Sequence, residues 1–437
     1  MKLEGAKVVV VGMARSGVAA AELLRSKGAD VRTVDQNPTP VAGFDVRPQS
    51  AESLAGADLI VLSPGVPADL DIFAEQRRKG VKVIGDLELA SWFLRGPIIG
   101  ITGSNGKTTT TALTGHILRG SGIPVQVGGN IGTPPASMVS ASKDGQWNVL
   151  ELSSFQLETT ESFRARIGAA LNVTPDHLDR HYSFERYAEA KARLFVNQRA
   201  GDFAVLNADD EACRRYAHTG GGSAVWFSST REVSPGACIK DREIFIDSEP
   251  LMPVAEVPLR GLHNVENTMA AALMAKLIGA SLPQIRAAVR AFPGVEHRLE
   301  FVRETGGVNW YNDSKATNVD ATLKAIAAFD GGLWVILGGK DKNSDYTPLA
   351  APLGTKAHGV LLIGAAAGKI ESQLRRAGLS GATAMIRCGT LDAAVEAAHE
   401  RATSGETVLL APACASFDQF QNFEHRGREF KRLVQAL

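Results

Sequence analysis

The 437-residue sequence is short of several things, and each shortage removes a class of protein. It holds only four cysteines, Cys213, Cys238, Cys388 and Cys414, widely spaced and without a Cys-x-x-Cys pair. That excludes a disulfide scaffold and a cysteine-built zinc module, and it fits a reducing compartment. Neither sign of charge is in excess, with 47 Lys plus Arg against 47 Asp plus Glu. Nothing in that balance calls for nucleic acid or an anionic membrane as partner. No apolar run approaches the roughly 20 residues of a membrane span. The run at 8–11 is strand length and the residues before it lack a secretion-type apolar core, so a cytoplasmic protein is expected.

What is present is ordinary in bulk, at 44% hydrophobic and 22% charged residues. The chain is too long for one core, so several domains are expected. Short β-branched runs alternate with Ala/Leu-rich amphipathic stretches, the pattern of α/β domains with parallel sheets flanked by helices. Three blocks are visible, 1–95, 96–296 and 297–437. The first reads as a Rossmann-like start. A strand at 8–11 leads through a glycine turn to a helix at 17–27, closed by Gly28. A strand at 31–34 ends at Asp35, and one at 59–62 runs into Ser63-Pro64-Gly65. Its fingerprint is incomplete, because Gly12-Met13-Ala14-Arg15-Ser16-Gly17 lacks the middle glycine that lets backbone approach a pyrophosphate. A nucleotide-like ligand and a purely structural turn both remain open, and a nicotinamide is disfavoured. The third block is again Rossmann-like, with strands at 333–337, 360–363, 384–387 and 407–410 and a last helix at 420–437.

The central block opens on Gly100-Ile101-Thr102-Gly103-Ser104-Asn105-Gly106-Lys107-Thr108-Thr109. A strand, a glycine turn and a helix opening on Lys-Thr make an anion cradle. Backbone N–H groups and the helix N-terminus face phosphate, the lysine neutralises it, and the threonine hydroxyl suits Mg²⁺. Ile101 stands where the common P-loop spacing has glycine. Downstream, 147–154 reads as a strand carrying one acid, Glu151, at its C-terminal end, where a parallel sheet would bring it beside the phosphate loop. A solvent-facing strand-edge glutamate is the alternative. His177 and His181 lie in Asn172-Val173-Thr174-Pro175-Asp176-His177-Leu178-Asp179-Arg180-His181 with no His-Glu-x-x-His pattern and no cysteine partner. Zinc is therefore disfavoured against a hard-metal or substrate contact, or a plain surface histidine. On the helix expected at 184–198, Lys191 falls on the apolar stripe of Phe184, Tyr187, Ala188, Leu194 and Phe195. Either it snorkels to solvent, or it is a desolvated amine of lowered pKa.

These segments together resemble the Mur ligase family, which includes folylpolyglutamate synthetases. The loop at 100–109 is similar to that family's variant phosphate loop, and Thr174-Pro175-Asp176-His177-Leu178-Asp179 and His263-Asn264-Val265-Glu266-Asn267 to two further family segments. The resemblance extends over all three blocks. Asn312-Asp313-Ser314-Lys315-Ala316-Thr317-Asn318 and the 413–427 stretch with Ser416 and Phe423 are similar to the D-glutamate-adding branch. Relatives that add other amino acids carry a Tyr-Gly-His type sequence at 314–316.

The resemblance implies a reaction of ATP, UDP-MurNAc-L-Ala and D-glutamate through an acyl phosphate, with two Mg²⁺ ions, in a monomer. It implies that Thr102, Gly103, Ser104, Asn105, Gly106, Lys107 and Thr108 cradle phosphate. Thr108 and Glu151 would hold one Mg²⁺, His177 and a CO₂-carbamylated Lys191 the other. Asn264, Asn267, Arg298 and Asp313 fall on ATP-side positions, and Arg15, Ser16, Asp35 and Gln36 on the uridine site. Asn130, Ser153 and Gln156 fall on the muramoyl site. Lys315, Thr317, Lys342, Ser416 and Phe423 fall on the D-glutamate site, with Lys340 as the alternative to Lys342. A folylpolyglutamate synthetase, a nicotinamide-dependent dehydrogenase and a non-catalytic nucleotide-binding regulator are the competing readings. The dehydrogenase leaves the Lys107-Thr108 loop unexplained, and the intact set Lys107, Glu151, His177 and Lys191 argues against the regulator.

Overall fold

The computed structural model describes residues 2–379 and 381–437. Its chain divides into two compact units, one of residues up to Pro258 with Leu262–Phe292, the other of Leu259–Gly261 with Pro293–Leu437.

The first unit contains two sheets. The smaller has five parallel strands in the order Val46–Pro48, Asp30–Asp35, Lys7–Val11, Leu59–Leu62, Lys82–Gly85. Leu59–Leu62 is buried along its whole length, as expected for a strand covered on both faces. The order reverses between Lys7–Val11 and Leu59–Leu62, so the turns after these two strands meet at the switch point where such sheets bind ligands. There the Ser63 hydroxyl donates to the Gly12 carbonyl at 2.6 Å.

The larger sheet has nine strands. Its parallel part runs Gly236–Lys240, Ser223–Ser228, Phe203–Asn207, Ile167–Ala170, Ile98–Thr102, Trp147–Glu151, Val125–Gly129. Ile98–Thr102 is fully buried and central, and it pairs Ile101 with Glu151 on one side and Thr102 with Ala170 on the other. Three loops therefore converge at the carboxyl end of one strand. The phosphate helix Lys107–Gly120 packs under Leu262–Leu277, whose run of buried Ala and Met side chains allows close approach.

The second unit is built on a six-stranded sheet, Glu300–Thr305, Val308–Asn312, Thr407–Leu410, Leu333–Gly338, Ala357–Ile363, Ala384–Gly389. Two departures from the all-parallel expectation share one cause. Strands Glu243–Ile246 and Glu249–Pro253 continue the large sheet as an antiparallel meander, and Glu300–Thr305 pairs antiparallel with Val308–Asn312. Each hairpin closes on two residues of positive φ: Asp241-Arg242 (48°, 62°), Asp247-Ser248 (48°, 70°) and Gly306-Gly307 (60°, 79°). Such turns match the twist of the strands they join, and Gly306-Gly307 was a legible signal for one.

Helix ends also move. The first begins at Arg15, two residues before the expected 17, because Gly17 belongs inside it. The last runs Phe423–Gln435, starting after 420 because the Asn422 side chain accepts from the His425 N–H as an N-cap.

Candidate active site

The phosphate loop is shaped by two glycines with positive φ, Gly103 (155°) and Gly106 (84°), the second capping the helix that starts at Lys107. A Cβ on Gly106 would stand 2.3 Å from Asn267 Oδ1, so only glycine fits between the loop and that helix. Asn267 also accepts from the Thr110 hydroxyl and donates to Asn264 Oδ1 at 3.0 Å. These two asparagines thus meet the start of the phosphate helix within the first unit.

The loop is held by a residue whose role was not foreseen. The Asn172 side chain accepts from the Asn105 N–H at 2.8 Å and donates to the Asn105 carbonyl, while its own carbonyl accepts from the Ser104 N–H. An asparagine closing the apolar run before Val173-Thr174-Pro175 was the available signal. Tyr187, read only as part of an apolar stripe, places its hydroxyl 3.0 Å from Ser104 Oγ. The Thr102 hydroxyl donates to the Leu152 carbonyl, so its side chain serves the sheet.

Lys191 does not snorkel. It is 1% exposed, and its Nζ donates to the Gly103 carbonyl at 2.9 Å. Lys107 Nζ donates to the same carbonyl at 2.7 Å and to that of Ser104 at 2.9 Å. Two amines thus meet on one oxygen. Burial, and then the charge of Lys107, push the Lys191 pKa well below the ordinary lysine value. Disfavouring the charged form that deep in the protein makes the amine a better nucleophile than a surface lysine.

Glu151 is buried, against the solvent-facing alternative. Its Oε1 accepts from Asn130 Nδ2 at 3.2 Å, while Oε2 has no hydrogen-bond partner among the described residues. A buried carboxylate oxygen left without a donor suits a hard cation. No group of three or more His, Cys, Asp or Glu side chains forms a cage among the described residues. An ion here would complete its shell with hydroxyl, phosphate and water oxygens. His177 has φ 52°, uncommon outside glycine, and its ring packs 4.9 Å from that of Phe155 with its side chain half exposed. The short helix Leu178–His181 behind it is tied to the first sheet's loops. Arg180 donates to the Val66 carbonyl, and the Tyr182 hydroxyl to Asp69 at 2.8 Å.

At the smaller sheet, Asp35 is engaged within the glycine turn: Oδ2 accepts from the Met13 N–H at 2.7 Å and Oδ1 from the Asn37 N–H. Arg15 reaches the Gly132 carbonyl at 2.9 Å, beside Asn130, while Gln36 is exposed. Ser153 and Gln156 form a capping box.

In the second unit, Asp313 is buried and its pKa rises to about 6, with Arg298 and Lys315 restraining the rise. Lys315 Nζ stands 5.3 Å over the Phe423 ring. Thr317 N–H donates to the Lys315 carbonyl, and Ser416 is buried at the turn that leads to Phe423. Arg426 binds this region together, donating to Ser314 Oγ and to the Ser314 and Cys414 carbonyls. The Lys340 N–H pairs with the Ala415 carbonyl, next to Ser416; Lys342 is exposed two residues on.

Three family models match the chain in succession: Mur ligase MurD-like N-terminal domain over 6–85, Mur ligase middle domain over 101–275, and Mur ligase, glutamate ligase domain, over 297–414. A UDP-N-acetylmuramoylalanine–D-glutamate ligase of Solibacter usitatus is 56% identical, covering all of this chain and 99% of its own. The chain belongs to the UDP-N-acetylmuramoylalanine–D-glutamate ligase family. Members from Acidobacterium capsulatum and Myxococcus xanthus are 50% and 45% identical over the full chain, covering 97% and 100% of their own. Among solved structures, the alanine ligase MurC of Thermotoga maritima shares the fold at TM-score 0.62 and 19% identity, over 99% of both chains. A pseudomurein peptide ligase type C of Methanothermus fervidus does so at 0.59 and 20%, over 99% of this chain and 100% of its own. Mur ligases are ATP-dependent and typically use Mg²⁺, which agrees with the cradle at Gly103–Gly106 and the unpaired Glu151 oxygen. Ile101 is buried in the central strand, where a cradle glycine is not needed.

Proposed function

We propose that the chain joins D-glutamate to UDP-N-acetylmuramoyl-L-alanine at the expense of ATP, in the cytoplasmic assembly of peptidoglycan precursors. The observation that carries this reading is the meeting of Lys107 and Lys191 at the Gly103 carbonyl, in a chain matched end to end by D-glutamate ligases. Residues 1–95 would hold the uridine nucleotide, 96–296 ATP, and 297–437 would contribute contacts to ATP and to D-glutamate, with the chain acting as a monomer.

A carboxylate does not react with an amine because oxide is a poor leaving group. In the proposed sequence the alanyl carboxylate oxygen attacks the γ-phosphorus of ATP and ADP leaves. The D-glutamate amine then attacks the acyl carbon, the tetrahedral adduct expels phosphate, and the amine gives up its proton. Charge accumulates at the phosphoryl group, so positioning and cations supply most of the acceleration. Lys107 neutralises the transferred group, and the cradle from Thr102 to Thr108 orients it. Asn264, Asn267, Arg298 and Asp313 serve ATP; Arg15, Ser16, Asp35 and Gln36 the uridine part; Asn130, Ser153 and Gln156 the muramoyl part. Lys315, Thr317, Lys342, Ser416 and Phe423 receive D-glutamate.

Thr108 and Glu151 would hold one Mg²⁺, His177 and Lys191 a second, each supplying charge neutralisation for phosphate oxygens. As an oxygen ligand to a hard ion Lys191 would act as a carbamate. Its neutral amine adds to CO₂ and loses a proton, leaving a carbamate whose oxygens suit a hard ion. Phosphate release from ATP with UDP-MurNAc-L-Ala, compared across D-Glu, L-Glu, L-Ala and diaminopimelate, tests the assignment. Release with D-Glu alone is expected, and preference for any other amino acid would overturn it.

A further inference from the structure

Among the described residues, two buried polar atoms of complementary kind stand unpaired near each other, outside the catalytic set. Asp86 opens the short helix Asp86–Ser91, immediately after the edge strand Lys82–Gly85. It is 1% exposed; Oδ1 accepts from the Leu87 N–H at 2.9 Å, and Oδ2 has no hydrogen bond. Gln156, also 1% exposed, spends its Oε1 on the N–H and hydroxyl of Ser153, and its Nε2 has no acceptor. The side chains of Ser16 and Gln156 both act on the Asp86 carboxyl group, and burial raises its pKa to about 7.

The backbone around Asp86 leaves little freedom. Helix Asp86–Ser91 packs on Arg15–Ser26 and on the turn Ser154–Leu157. A Cβ on Gly85 would lie 2.0 Å from Thr159 Oγ1, so the chain passes that segment at glycine distance. Two residues on, the Glu88 carboxylate accepts from the N–H groups of Glu161, Ser162 and Phe163, stapling the short helix to the central block. Asp86 is thereby clamped between the residue that starts the nucleotide side, Ser16, and the one that starts the sugar side, Gln156.

We infer that Asp86 is a positioning residue of the nucleotide-sugar site: its carboxyl group orients Ser16 and the Gln156 amide, so that the two halves of one long substrate are received in register. This rests on the proposed function, since it assigns Ser16 and Gln156 to the two ends of UDP-MurNAc-L-Ala. Unpaired buried atoms are costly, and the Gln156 side chain already acts on the Asp86 carboxyl group, so Oδ2 and Nε2 are each other's available hydrogen-bond partner. Substrate that orders Gln156 closes that bond, and the gain appears as affinity for this substrate alone.

The test is titration calorimetry of UDP-MurNAc-L-Ala on the full chain, with KM for all three substrates and thermal midpoints alongside. Asp86→Asn, Gln156→Ala and the double variant are compared with wild type. Asp86→Asn is expected to weaken nucleotide-sugar binding about tenfold, leaving KM for ATP and D-glutamate unmoved and the midpoint not lowered. The double variant is expected to bind no worse than Gln156→Ala, because the two act through one contact. Unchanged Kd with a lowered midpoint, or effects that simply add, would overturn the inference. If Asp86→Asn does not fold, Asp86→Ser and Ser16→Ala read the same Kd. A wild type that binds this nucleotide without ligating D-glutamate refutes the reaction and leaves the inference standing. Ligation by wild type with unaltered Kd in Asp86→Asn does the reverse.

Discussion

The two glycine turns of the first unit start from the same plan and end differently. At Gly12–Gly17 and at Gly103–Gly106 a buried strand feeds a glycine turn and then a helix. In the first, glycine serves packing: a Cβ on Gly17 would fall 1.8 Å from the Gly12 carbonyl, and the Met13 N–H is already spent on Asp35. In the second, glycine serves approach and charge. Gly106 makes room for Asn267, and two lysine amines gather on the Gly103 carbonyl. The difference teaches that a strand–glycine–helix pattern marks a place where ligands bind, while neighbouring cations and unpaired acids decide whether chemistry is done there.

If the second turn is the reactive one, Lys191→Ala should lower kcat by about 1000-fold or more. A short-chain carboxylic acid added to the assay should restore part of it by standing in for the carbamate. Full activity of that variant without rescue would erase the distinction between the turns. Gly106→Ala puts a side chain at φ 84° and against Asn267, and KM for ATP should rise more than about tenfold while UDP-MurNAc-L-Ala still binds. Gly17→Ala should do the opposite. It should cost about 3 kcal/mol of stability by overpacking, read as a lowered denaturation midpoint, and leave the ATP affinity of the folded fraction alone.

A fourth prediction concerns pH. Asp86 titrates near 3.8 when unfolded and at about 7 when folded. The folded state therefore holds its proton longer, and the associated stability is full below about pH 4 and is lost as pH rises through 7. Wild type should lose on the order of 4 kcal/mol across that window relative to Asp86→Asn, seen as diverging midpoints. Parallel curves would show that Asp86 ionises freely. The smallest effect separates two neighbours. Lys342→Ala should raise KM for D-glutamate about tenfold and Lys340→Ala about twofold, and the reverse order would move the contact to Lys340.

The α/β class, the phosphate loop and the boundaries of most buried strands were legible in the sequence, because parallel strands covered on both faces must be apolar along their length. Glu151 and Lys191 were legible as candidates, since an acid ending such a strand and a lysine on an apolar stripe are anomalies of pattern. The antiparallel meander at 236–253 was not, because turns such as Asp241-Arg242 and Asp247-Ser248 carry no glycine to mark their positive φ. Nor were the roles of Asn172, Tyr187 and Asp86, polar residues whose partners lie 67, 83 and 70 positions away, at Asn105, Ser104 and Gln156. By itself the sequence determined which groups are present and which local element each rides on. Tertiary structure alone decided which way those groups lean: that Lys191 is buried against a carbonyl rather than extended into water, and that one Glu151 oxygen is paired and the other is not. Periodicity fixes the face of a helix or strand. Burial, hydrogen bonding and charge depend on what the rest of the chain brings to that face.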